Sequence, residues 1–204
     1  MKLKKVKKKV LSGGKLAGGN PENGRVEYDY YATNPLAVSM LMDKYKFRGK
    51  TFLEPCVGEG HIAKEVLKHM TLESTFLDIV DRGYENTIVT DFLQWETDKK
   101  FDIIITNPPY SLAKDFVEKS LSLLNKKGQI AMFLKIQFLE SDIRKVFFKN
   151  YPPKYIYVFS DRMPTWNNGN PVNPKTGKKW QTTFCHAWFI WEKDSVSEPV
   201  IRWL

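Results

Sequence analysis

The sequence predicts an α/β protein, a doubly wound and mostly parallel sheet with helices on both faces. Short apolar runs alternate with helix-like stretches along most of the chain, and Gly, Pro or Asn residues separate them. A length of 204 residues with 42% hydrophobic residues is enough to bury one core without crosslinks. None of the runs approaches the roughly 20 apolar residues of a membrane span.

The elements follow in order. Tyr31-Ala32-Thr33-Asn34-Pro35 leads into an amphipathic stretch from Leu36 to Tyr45. Thr51-Phe52-Leu53-Glu54 is a short strand, Pro55-Cys56-Val57-Gly58-Glu59-Gly60 a glycine turn, and the stretch through about Met70 a helix. Apolar runs at 74–80 and 87–90 read as strands, as does Phe101-Asp102-Ile103-Ile104-Ile105-Thr106. Beyond it come a helix from Leu112 to Leu124, a strand from Gln129 to Leu134 and a helix from Asp142 to Asn150. Strands around Tyr155 to Phe159 and Phe184 to Trp191 complete the set.

Three features carry chemistry. Asn107-Pro108-Pro109-Tyr110 stands directly behind a buried strand, where open α/β sheets place their ligands. An amine conjugated into a planar group is a poor nucleophile and needs to be held. The Asn107 carboxamide and the Pro108 carbonyl can each accept from such an NH2, the two prolines restrict φ, and the Tyr110 ring offers a flat face. The second feature is the turn itself, where Gly58 and Gly60 let a ligand approach the backbone. It does not run on into Gly-Lys-Ser/Thr, which disfavours a phosphate-cradling loop, and its spacing falls short of the full dinucleotide pattern. The third is a pair of acids. Asp78 lies 20 residues past Gly58 at the end of a strand, where a carboxylate can bind ribose hydroxyls, and Asp91 closes the next strand, where it can meet an adenine edge. Each acid taken singly reads equally well as a cap or a solvated loop residue.

Taken together, these segments resemble the S-adenosylmethionine-dependent N6-adenine DNA methyltransferases of the Asn-Pro-Pro-Tyr type, in a small form without a separate recognition domain. The resemblance covers about Tyr31 to Trp191. It implies a seven-stranded class I methyltransferase sheet with an antiparallel last strand, and S-adenosyl-L-methionine as cofactor. It implies cofactor contacts from Thr33, Glu54, Pro55, Cys56, Gly58, Gly60, Asp78, Asp91 and Asn107, and a catalytic loop of Asn107, Pro108, Pro109 and Tyr110. Thr33 departs from the pattern, because Asn34 separates it from Pro35. The cofactor turn precedes the catalytic loop, which argues against the subclass with the reverse order. Only the segment Phe92 to Lys100 separates Asp91 from the next strand, leaving no room for an inserted recognition domain.

Between the last two predicted strands, residues 162–183 are rich in Pro, Gly and Asn and too long for a plain connection in a compact domain. Trp166 and Trp180 suit stacking on an extruded base, with Lys178 and Lys179 on the backbone, or equally a fold-back over the core. The family places a second aromatic against the catalytic tyrosine, and Phe138 and Trp166 are the candidates.

The net charge of +9 is unevenly spread. Lysines 2, 4, 5, 7, 8, 9 and 15 leave a nearly neutral body behind them. Residues 1–24 therefore read as a flexible basic arm, suited to nucleic-acid phosphates or simply solvated, and 25–204 as a single methyltransferase domain. Cys56 and Cys185 make no disulfide framework and point to the cytoplasm, and Cys185-His186 lacks a second ligand pair at metal-like spacing. The expected partner is nucleic acid, DNA ahead of RNA, with no membrane and with specificity from the 162–183 loop, a homodimer or a partner protein. Structured RNA such as rRNA, a protein glutamine amide, or a non-catalytic nucleic-acid-binding role stay open as alternatives.

Overall fold

The computed structural model describes residues 30–204; the basic arm lies outside the described residues. In chain order the elements are β1 (Tyr31–Ala32), α1 (Pro35–Lys44), β2 (Thr51–Glu54), α2 (His61–His69), β3 (Glu73–Asp78), β4 (Thr87–Val89) and β5 (Phe101–Thr106). Then come α3 (Ala113–Leu123), β6 (Leu124–Lys135), α4 (Asp142–Asn150), β7 (Tyr155–Val158), β8 (Trp166–Asn167), β9 (His186–Glu192) and β10 (Val200–Trp203).

The main sheet has eight strands in the order β10-β7-β9-β6-β5-β2-β3-β4. Every pairing is parallel except those of β9, which runs antiparallel between β6 and β7. The seven expected strands are all present, and the antiparallel one is where the sequence put it. The count is eight rather than seven because β10 adds a parallel edge beyond β7. All four of its residues are exposed, so it carries no buried pattern to announce it.

Side-chain alternation divides the core between the two faces of the sheet. Phe52, Ile103, Ile105, Phe133, Trp188 and Ile190 pack against α1 and α2, through Leu41, Ile62 and Val66 among others. Leu53, Ile104, Met132, Phe189 and Trp191 face α3 and α4, through Phe116, Val117 and Phe147. Trp188 is fully buried and its indole N–H donates to the Ala37 carbonyl at 2.9 Å, tying the sheet to α1. Trp188→Ala is therefore expected to cost roughly 3–5 kcal/mol in urea unfolding, from the cavity and the orphaned carbonyl together.

Asn34 explains its own intrusion between Thr33 and Pro35. Its side chain accepts from the Leu36 N–H at 3.0 Å and caps α1, with Pro35 at the first helical position. From β2 the chain winds outward to β3 and β4, then returns to place β5 on the other side of β2. That reversal of strand order leaves a crevice at the carboxyl ends of β2 and β5. Among the described residues no helix is long and apolar enough to cross a membrane.

Candidate active site

A cleft opens at that crevice. It is lined by Thr33, Glu54, Pro55, Cys56, Asp78, Asp91, Asn107 and Pro109 of the expected set. Tyr30, Tyr31, His61, Ile79, Arg82, Phe92, Leu112 and Phe116 also line it.

The glycine turn is shaped by its own backbone. Gly58 and Gly60 have φ of +54° and +79°, the left-handed region that other residues avoid. A Cβ on Gly58 would lie 2.5 Å from the Tyr30 ring, and one on Gly60 2.2 Å from the Tyr84 ring. The Tyr30 hydroxyl accepts from the Glu59 N–H, and the Arg82 guanidinium covers the Tyr30 ring at 4.0 Å. Motif spacing carries no signal for Tyr30, Tyr84 or Arg82, which only the folded chain brings to the turn.

Asp78 ends β3 and Asp91 lies two residues past the end of β4, and both cap backbone. Asp78 accepts from the Gly58 N–H at 2.8 Å on one oxygen and from the Val80 N–H at 3.0 Å on the other. Asp91 accepts from the Leu93 N–H at 2.9 Å. A carboxylate has about four lone-pair sites, so each keeps acceptor capacity for a ligand.

Glu54 is 1% exposed. The Ala63 backbone N–H donates to its carboxyl, while Oε2 has no hydrogen-bond partner among the described residues. Burial, reinforced by the charge of Asp78, pushes its pKa well above the usual carboxylate range. The sign follows from linkage. A carboxyl whose folded pKa is raised favours folding fully below its unfolded value of about 4.3 and loses that contribution as pH rises through the folded value. Glu54→Gln, which cannot ionise, is thus expected to match the parent's melting temperature near pH 4 and exceed it at neutral and alkaline pH. Parallel thermal melts across that range check it. Burial and Asp78 likewise raise the Cys56 thiol, leaving it un-ionised at neutral pH.

Asn107 is oriented by its neighbour across the cleft. Its Nδ2 donates to the Tyr31 carbonyl at 2.8 Å. A carbonyl can only accept, so the bond settles which end of the carboxamide is which and leaves Oδ1 as an acceptor. Pro108 is buried, and the Tyr110 ring is half-buried, its hydroxyl enclosed and without a hydrogen-bond partner among the described residues. Burial pushes the Tyr110 phenol upward, so it stays neutral.

The expected aromatic and basic residues go to different places. Phe138 is 6% exposed and its ring meets Phe147, Phe148 and Phe189 edge-on, inside the core. Trp166 is half-buried in β8, which pairs with β1, and its ring meets His61 edge-on at 5.5 Å. The 162–183 loop thus folds back over the glycine turn, close enough that a Cβ on Gly169 would overlap the Glu59 carboxylate. Trp180 donates its indole N–H to the Asn170 carbonyl, and Lys178 and Lys179 stay exposed beside the Val172–Lys179 bridge. None of Trp180, Lys178 and Lys179 lines the cleft.

Beside Tyr110 stands a group that the sequence did not single out for this site. His186 stacks on Phe133 at 4.9 Å, lies 6.2 Å from the Tyr110 ring, and shares a hydrogen bond with the Met163 carbonyl. Burial lowers its pKa to about 4, only partly offset by the Met163 bond. Since that carbonyl only accepts, Nδ1 carries the proton and the ring is neutral.

Residues 25–164 match the family described as Eco57I restriction-modification methylase. The chain belongs to that family. Among curated relatives it is similar to the Type II methyltransferase M.CvrRI of Paramecium bursaria Chlorella virus XZ-6E. The two are 36% identical over 123 residues, covering 47% of this chain and 32% of the relative. The chain therefore spans about a third of the length of that curated relative. Among solved structures it resembles one described as a class I S-adenosylmethionine-dependent methyltransferase of Listeria monocytogenes. There the TM-score is 0.58 and the identity 15%, over 83% of this chain and 64% of that one. The M protein of the type I restriction enzyme EcoKI matches with a TM-score of 0.54 at 14% identity, over 83% of this chain and 45% of that one. At these identities the structural likeness speaks for the fold alone, which is that of the class I methyltransferases.

Proposed function

We propose that this Eco57I-family chain transfers a methyl group from S-adenosyl-L-methionine to the N6 amine of adenine in DNA. The observation that carries the reading is Asn107, whose NH2 is tied to the Tyr31 carbonyl so that Oδ1 is left as an acceptor in a cleft flanked by Asp78 and Asp91. Membership of a restriction-modification methylase family and likeness to a Type II methyltransferase support DNA as the acceptor.

The cleft suits the cofactor. Thr33 Oγ1 and Glu54 Oε2 are buried there without hydrogen-bond partners among the described residues, polar atoms that an amino-acid end would satisfy. Asp78 can accept from ribose hydroxyls and Asp91 from an exocyclic amine, while Ile79, Phe92, Leu112 and Phe116 offer apolar faces to a flat base. When bound, the group would supply an electrophilic methyl on a positively charged sulfur.

The chain's own residues do the remaining work. Asn107 Oδ1 and the Pro108 carbonyl accept from the acceptor's NH2 and aim its lone pair at the methyl. The Pro108-Pro109 pair holds that geometry, and the Tyr110 ring supports the extruded base. Tyr110 and His186 are both neutral, so catalysis comes from positioning and charge placement, and the surplus proton on the methylated nitrogen passes to solvent.

The test is a tritiated-methyl assay on unmethylated DNA, rRNA and bulk protein, followed by nucleoside mass spectrometry. N6-methyladenine in DNA is expected. Label confined to RNA or protein would overturn the reading.

A further inference from the structure

β10 closes the main sheet on one side, and no further strand pairs with it among the described residues. Its hydrogen bonds show which of its backbone groups are used. The Val200 N–H donates to the Lys154 carbonyl at 3.1 Å, the Leu204 N–H to the Val158 carbonyl at 2.8 Å, and the Ser160 N–H to the Leu204 carbonyl at 3.0 Å. Val200, Arg202 and Leu204 therefore turn their backbone groups toward β7, and by strand alternation Ile201 and Trp203 turn theirs outward. Side chains alternate as well. Arg202 lies over the Tyr155 and Tyr157 rings at 4.6 and 6.0 Å, on the face that packs against α1 and α2. Ile201 and Trp203 stand on the other face, 52% and 67% exposed. Sheet edges are commonly blunted by a charge or a proline at the pairing positions. Here those positions hold an isoleucine and a tryptophan.

The edge is complementary to itself in one register. An antiparallel copy of β10 with Arg202 on the two-fold axis sets Ile201 opposite Trp203 of the second copy, and Trp203 opposite its Ile201. Both are hydrogen-bonded pairs, so every outward N–H and C=O of these residues finds a partner. Centring the axis on Ile201 instead sets Trp203 opposite Pro199, which has no N–H to give. In the favoured register each Ile201 packs beside a Trp203 ring, a β-branched and aromatic pair of the kind that stabilises sheets. The two Arg202 side chains meet across the axis as like charges on the opposite face, and each is drawn back over its own tyrosines.

We propose that two copies of this chain associate through β10, joining their eight-stranded sheets edge to edge. β2, β5, β6, β7 and β10 all run the same way, and the two-fold axis reverses that direction in the second copy. The carboxyl ends of β2 and β5 in the two copies then lie on opposite margins of the joined sheet, and neither copy contributes to the other's cleft. The inference goes beyond the proposed function and does not rest on it.

The experiment is sedimentation velocity on the full chain from about 2 to about 200 µM, with amide exchange followed residue by residue at both ends of that range. The mass is expected to double as concentration rises, with a dissociation constant on the order of 10 µM, as fits a contact smaller than a standard interface. Exchange at Ile201 and Trp203 slows at least about fivefold on association, while that at Arg202 and Leu204, which face β7, changes by less than about twofold. Ile201→Pro removes an outward donor and leaves the β7 ladder alone, since an edge strand accepts proline where its N–H faces outward. It is expected to raise the dissociation constant at least about tenfold, with parental exchange at Leu204 reporting an intact β10. Arg202→Gln relieves the like charges and lowers the constant about threefold. A parent that stays monomeric throughout that range leaves the edge to an unlike strand and overturns the inference. So does a dimer in which Ile201→Pro associates as well as the parent, or in which Ile201 and Trp203 exchange at the monomer's rate.

Discussion

Replacing Asn107 with alanine is expected to lower kcat for methyl transfer about 10²–10³-fold while cofactor affinity changes by less than about threefold. In the proposed reaction the acceptor's amine nitrogen is nearly non-nucleophilic while conjugated, and it becomes reactive only when hydrogen-bonded and turned toward the methyl. Alanine removes that acceptor and also the bond to the Tyr31 carbonyl that orients it. Asn107→Asp separates the two contributions, because it keeps an oxygen for the amine but cannot donate to Tyr31, and an intermediate rate is expected. Single-turnover transfer on DNA with calorimetric cofactor binding measures both. Parental turnover in the alanine variant would remove Asn107 from the mechanism.

Asp78→Ala is expected to weaken cofactor binding about 100-fold and to destabilise the protein by about 1–3 kcal/mol per orphaned amide. Both figures follow from its double duty. Its two oxygens hold the Gly58 and Val80 N–H groups, and so the glycine turn itself, at 2.8 and 3.0 Å. Their remaining lone pairs face the cleft. Asp78→Asn keeps one acceptor oxygen and is expected to recover most of the stability and little of the affinity, since a neutral amide is the weaker partner for ribose hydroxyls. Isothermal titration with S-adenosylhomocysteine and thermal melts report the two effects separately. Parental affinity in the alanine variant would place the ribose elsewhere.

Much of the site was legible because it lies at strand ends, where local pattern fixes position. The near-continuous apolar runs in 101–106 and 129–134 mark strands buried on both faces, and whatever follows such a strand emerges at the carboxyl edge of the sheet. Asp78, Asp91 and Asn107 were found in this way, and each lines the cleft. Phe138 was a less secure candidate for the same reason. It too follows a strand, but the 3-10 turn Ile136–Leu139 carries its ring inward against Phe147, Phe148 and Phe189. Helical phase within a single turn decides that, and no periodicity reports it.

Residues contributed across long separations were not legible. Tyr30 reaches Gly58, Trp166 reaches His61, and Lys135 joins Tyr110 to Phe184 only because distant strands come to rest beside one another. The sequence by itself determined the elements, the glycine turn and the order of acids and tetrapeptide along the chain. These are local matters of φ, periodicity and spacing. The tertiary structure alone decided the eighth strand, the route of the 162–183 loop over the turn, and the cation beside Tyr110. Those depend on which distant strands pair, and pairing is set by the burial of whole faces rather than by any residue's neighbours in sequence.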